Sequence, residues 1–132
     1  MSARARGVIG AAALVGGLGW ALAQDKPSGV DDAQLAFNNA CRTCHTVKEG
    51  DNRLGPSLHR VIGRKSASVP GYGYSGAMRN ADIVWDKATL DRFIANPDEV
   101  VRGSSMRPYS GVPSAETRAR IIAYLEASGG GK

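Results

Sequence analysis

Residues Cys41-Arg42-Thr43-Cys44-His45 constrain this chain more than any other stretch of it. Two thiols separated by two residues, with an imidazole directly after, form the attachment signature of a c-type haem. The reason is mechanical. Each thiol adds to a vinyl group on the porphyrin edge, and the short loop between them folds against that edge. His45 is then held under the ring, where a nitrogen reaches the iron.

Both cysteines of the chain lie in this motif, so none remains for a structural disulfide. A zinc site would need further Cys or His ligands, and the one other histidine is His59. The rival reading of a bare C-x-x-C is a thioredoxin-like dithiol, which belongs after a strand in a βαβ pattern. Asp31 to Ala40 reads instead as a helix, and the adjacent His45 favours haem.

At 132 residues the chain suits one domain. Aromatic residues make up only 6% of it, and its apolar set is rich in alanine. A core of this size needs large side chains to reach native density. A buried porphyrin supplies that missing apolar volume, so the chain without haem is expected to fold poorly.

The amino end reads as a separate device. Arg4 and Arg6 precede an apolar run from Gly7 to Ala23, which ends Ala21-Leu22-Ala23. A basic start, a short apolar stretch and an A-x-A ending describe a secretory signal peptide over residues 1–23, cleaved after Ala23. The alternative is an uncleaved anchor, although the run is short and glycine-rich for a membrane span. Export agrees with haem attachment in a bacterial periplasm. Losing Arg4 and Arg6 with no acid takes the formal charge from +5 down by two, to +3. Such a mildly basic domain, residues 24–132, with no aromatic-interleaved basic stretch, argues against a nucleic-acid partner.

Within that domain the pattern is all-α with long loops. Asp31 or Asp32 is placed to cap the first helix, with Ala33, Phe37 and Ala40 on one face. Gly55-Pro56 marks a turn, and Pro70 to Gly76 is too glycine-rich for a helix. A short helix is expected over Ser75–Asn80. Asp86 caps another, which carries Leu90, Phe93 and Ile94 and stops at Pro97. Asp98 to Pro113 reads as irregular. Ser114 caps a last helix to about Ala127, with Ile121, Tyr124 and Leu125 on one face. No segment reads as a convincing strand.

His45 takes one axial position on the iron, and the identity of the other decides function. The candidates are Met78, Met106 and His59. A methionine thioether would close the iron for electron transfer; an open site would permit ligand binding or catalysis. Met106 lies in a long loop able to fold over the distal face, yet filling a gap in the core is a common role for methionine. His59 lies close to the proximal side and reads as a surface or supporting histidine.

The ordered set Cys41-Arg42-Thr43-Cys44-His45-Thr46-Val47, Gly55-Pro56-Ser57-Leu58-His59, Ile62-Gly63-Arg64-Lys65, Pro70 to Ser75, Trp85, Asn96-Pro97 and Ile122-Ala123-Tyr124-Leu125 resembles the class I c-type cytochromes, of the mitochondrial cytochrome c and bacterial cytochrome c2 type. The resemblance runs from about Asp32 to Ser128. It implies a single-domain fold around one covalent haem c, with Met106 as distal ligand. It implies that the Pro56 carbonyl accepts a hydrogen bond from His45, and that Arg64, Tyr74 and Trp85 surround an inner haem propionate. It further implies that the first and last helices cross, with Phe37 against Tyr124 and Ile121.

Some positions depart from the family pattern. Phe93 stands where a tyrosine is frequent, and Met78 where mitochondrial members have asparagine. Both make the pocket less polar and favour a higher potential. The Met106 loop carries one extra residue, and Tyr109 stands where phenylalanine often covers the haem edge. Asp98, Glu99, Ser105 and Ala40 replace lysines that ring that edge, with Arg42, Arg53, Arg102 and Arg107 able to restore some positive field. The implied activity is that of a monomeric electron carrier and not an enzyme. Its implied partners are a quinol:cytochrome c reductase, a terminal oxidase or a periplasmic dehydrogenase. A dedicated dehydrogenase subunit and a haem enzyme such as a peroxidase are the alternatives.

Overall fold

A computed structural model describes residues 29–129. The expected leader over residues 1–23 and the glycine tail beyond Gly129 lie outside the described residues. Among the described residues, five helices run in the order α1 (Gly29–Ala40), α2 (Gly76–Asn80), α3 (Lys87–Ala95), α4 (Pro97–Val100) and α5 (Ala115–Ser128). The only β pairing among the described residues is one antiparallel bridge, Lys65 with Val84. None of these helices is long and apolar enough to cross a membrane.

Local chemistry sets the helix starts. The Ser75 hydroxyl accepts from the Met78 amide to open α2, Asp86 accepts from Thr89 to open α3, and Ser114 accepts from Thr117 to open α5. Each satisfies one of the amides that a first turn leaves unpaired. α1 begins earlier than the capping pattern suggested. Asp31 and Asp32 therefore sit inside its first turn, where the positive end of the helix dipole favours carboxylates.

One stretch expected to be irregular is partly helical. Pro97 ends α3 but also starts α4, because Asn96 accepts from the Asp98 amide and proline is tolerated at the first helical position. A residue that breaks one helix thus opens the next.

α1 packs on α5, and α3 packs on both α5 and α4. Phe37 lies with its ring 4.8 Å from that of Tyr124. Ile121 is fully buried at 0% exposure, and burying such a side chain contributes about 1.5–3 kcal/mol. Val61, Trp85, Leu90, Phe93, Ile94, Val101, Ile122 and Leu125 complete the same cluster. The candidate site draws on Trp85 and Phe93, on the loops between α1 and α3 and on the loop between α4 and α5.

Candidate haem site

The last turn of α1 does not stop at Ala40. The amides of Cys41 and Arg42 both donate to the Phe37 carbonyl, and those of Cys44 and His45 both donate to the Cys41 carbonyl. The helix therefore winds directly into the C-x-x-C-H turn and hands it a rigid base. Both thiols are half-buried and unbridged. Burial, with Cys44 beside it, pushes the Cys41 thiol up to about 11. A redox dithiol is tuned in the opposite direction.

His45 is buried, and its Nδ1 lies 2.8 Å from the Pro56 carbonyl oxygen. A carbonyl only accepts, so Nδ1 carries the proton and Nε2 of the neutral ring keeps its lone pair. Burial lowers the His45 pKa, against the Pro56 bond, which raises it. The loop that presents Pro56 is fastened to the motif on both sides. Gly55 donates to the Cys44 carbonyl at 2.8 Å and Leu58 donates to that of Thr46, also at 2.8 Å. Gly55 itself lies flat against the imidazole: a Cβ there would fall 2.2 Å from His45 Cε1.

Arg64 forms the second part. Its two terminal nitrogens donate to the carbonyls of His59 (2.6 Å) and Ser57 (2.9 Å). Its Nε is buried with no partner. Burial lowers the Arg64 pKa, with the nearby Tyr74 acting the other way. The Tyr74 hydroxyl accepts from the Val69 amide at 3.3 Å, which leaves its own proton free to donate. A desolvated cation with one orphaned donor, beside a hydroxyl with a proton to give, suits a carboxylate. A haem propionate fits this description. Trp85 is joined to Arg64 through the backbone, donating to its carbonyl at 2.9 Å, and its ring meets Phe93 edge-on at 5.0 Å.

Met78 and Met106 are both half-buried and pack against the core. Met106 lies in the loop between α4 and α5, and its amide donates to the hydroxyl of buried Ser104. Tyr109, on the same loop, is half-buried and donates to the Ile94 carbonyl at 2.7 Å. Of the arginines expected to supply positive field, Arg53 pairs with Asp51 (3.1 Å) and Arg107 with Asp98 (2.8 Å). Arg42 and Arg102 are exposed and carry no ion pair among the described residues.

Sequence reasoning missed the close approach of Gly55 to His45 and the roles of the Ser57 and His59 carbonyls under Arg64. Glycine beside proline signalled a turn and nothing more. The Ser57 and His59 carbonyls leave no mark in residue identity, whereas the Pro56 carbonyl was implied by the family resemblance.

No family model matches the chain. Individual relatives do. It is 46% identical to a cytochrome c2 of Rhodopila globiformis over 90 residues, 68% of this chain and 84% of that one. It is 38% identical to a cytochrome c type-1 of Ascaris suum over 96 residues, 73% of this chain and 85% of the relative. Among solved structures it resembles cytochrome cH from Methylobacterium extorquens with a TM-score of 0.67 and 31% identity, covering 74% of this chain and 97% of the other. With the C-x-x-C-H turn, the oriented imidazole and the all-helical frame, these similarities show that the chain belongs to the class I c-type cytochromes, electron-transfer proteins with one covalently bound haem c.

Proposed function

We propose that this cytochrome is a diffusible one-electron carrier, its haem iron held by His45 on one side and Met106 on the other. The carrying observation is the 2.8 Å bond between His45 Nδ1 and the Pro56 carbonyl. It selects the tautomer whose Nε2 is a ligand, and orients the ring while raising its basicity. Met106 is supported as the opposite ligand by its half-buried place against the core, on a loop whose return limb is fastened to the end of α3 by the Val112 amide. The bound haem supplies a one-electron couple. The chain's part is to keep both ligands fixed, to pair the inner propionate with Arg64 and Tyr74, and to keep water out with Trp85, Phe93 and Met78. A neutral thioether and an apolar pocket favour the reduced form and raise the potential.

Residues 1–23 act as an export leader on this reading, and the working compartment is the periplasm. The partners are membrane redox complexes, a quinol:cytochrome c reductase and a terminal oxidase, or a periplasmic dehydrogenase, met in brief small-area encounters.

The test is the optical spectrum of the oxidised holoprotein at neutral pH, for the parent and for Met106→Ala. The parent shows the weak long-wavelength absorption of sulfur bound to haem iron, and its reduced form resists carbon monoxide. The variant loses the absorption and binds carbon monoxide rapidly. Rapid carbon monoxide binding by the parent overturns the reading.

A further inference from the structure

The loop between Val101 and Ser114 must stay closed if Met106 is to remain on the iron, and its two limbs are secured differently. The outgoing limb is tied to itself: Ser104 donates to the Val101 carbonyl, and Met106 to the Ser104 hydroxyl. The return limb is tied to the end of α3. The Ile94 carbonyl is among the last four of that helix, which have no intrahelical donor. It accepts two bonds, from the Tyr109 hydroxyl at 2.7 Å and the Val112 amide at 3.0 Å. Gly111 lies between them with φ +91°, so close to α3 that a Cβ would fall 2.0 Å from the Ala95 carbonyl oxygen. Arg118 then holds the carbonyls of Val112 and Pro113 at 2.9 and 2.8 Å.

Between Met106 and Gly111, two side chains fasten the loop to the rest of the protein. One is the Arg107–Asp98 ion pair, with side-chain exposures of 65% and 46%. Ion pairs this exposed are screened and contribute little. The other is the half-buried Tyr109 hydroxyl. Burial above all pushes this phenol up to about 12, so it remains a donor throughout the neutral range.

We propose that Tyr109 is a positioning residue for the distal ligand: its hydroxyl, anchored on the Ile94 carbonyl, holds the return limb down and keeps Met106 in place. This rests on the assignment of Met106 as ligand. The anchor works through α3, because Ile94 is itself buried in the core. Removing the hydroxyl leaves no orphan at the carbonyl, since Val112 still donates to it. The consequence is therefore local loosening of the loop rather than loss of the fold.

The experiment is imidazole titration of the oxidised holoprotein, followed by the loss of the long-wavelength sulfur absorption. The variants are Tyr109→Phe and, as a control, Ser68→Ala, which removes an exposed hydroxyl bond to Lys65 elsewhere. Tyr109→Phe is expected to bind imidazole about fivefold more tightly, the size of one modest hydrogen bond lost from the closed state. Ser68→Ala is expected to match the parent. Parental affinity in Tyr109→Phe overturns the proposal. If the parent itself lacks the sulfur absorption, the ligand assignment beneath the proposal is what fails.

Discussion

Gly55 lies in contact with the His45 ring so closely that a Cβ would sit 2.2, 2.6 and 2.7 Å from Cε1, Nδ1 and Nε2. Neither partner has room to yield. Gly55 is held by its amide on the Cys44 carbonyl and by its own carbonyl, which accepts from Arg53 at 2.9 Å. His45 is held by Pro56. Gly55→Ala is therefore expected to displace the imidazole and destabilise the holoprotein by about 1–3 kcal/mol, the usual cost of overpacking. Denaturant unfolding checks the energy, and a shift of the main haem absorption band checks the displacement. Parental values for both would mean the contact is slack.

Arg64 grips the Ser57 and His59 carbonyls and keeps a buried Nε with no partner. Arg64→Leu strands the carbonyls of Ser57 and His59, and an unsatisfied buried acceptor costs about 1–3 kcal/mol. On the proposed pairing of Arg64 with a haem propionate, it also removes a cation beside the haem, which eases oxidation and lowers the reduction potential. Arg64→Lys keeps the charge but not the fork of donors. It should recover more of the potential than of the stability. Equilibrium unfolding and potentiometric titration of the two variants separate these effects.

Asp86 caps α3 by accepting from the Thr89 amide at 2.7 Å, and that bond above all holds its carboxyl below the usual carboxylate range. A depressed folded-state pKa means the contribution is complete above the ordinary value of about 4 and fades as pH falls through the folded one. Asp86→Asn keeps an accepting oxygen without a titrating charge. The gap in melting temperature between parent and variant should therefore narrow from pH 7 toward pH 3. A constant gap would show that the cap does not respond to pH.

Arg118 and Asp91 join α5 to α3 at 2.7 Å, with side-chain exposures of 12% and 41%. The two partners are not equivalent. Arg118 also holds the Val112 and Pro113 carbonyls, whereas Asp91 keeps access to water. Arg118→Leu should cost about 1–3 kcal/mol, below the range for a fully buried pair because Asp91 is partly solvated. Asp91→Asn should cost less. Chemical denaturation of both variants tests the order, and the reverse order would place the pair's weight on the carboxylate.

The helices were largely legible in the chain because their signals are local. Ser75, Asp86 and Ser114 sit one residue before the helices they cap. Leu90, Phe93 and Ile94 repeat at helical spacing, and Phe37 meets Tyr124 as the family resemblance implied. The departures at α1 and α4 came from residues with more than one use: acids serve the first turn as well as the cap, and proline both ends and begins a helix.

What the sequence determined alone is the chemistry: two thiols and an imidazole at one spacing, which admit one cofactor. Distance along the chain suffices there, because the motif is a single turn. Tertiary structure decided how that chemistry is held. The Pro56 carbonyl was implied by the family resemblance, but the Ser57 and His59 carbonyls beneath Arg64 and the Ile94 carbonyl that receives Tyr109 were not, and all are backbone oxygens. Every residue carries one, so side-chain identity does not reveal which is used. Only the folded path of the chain brings a particular oxygen within hydrogen-bond reach.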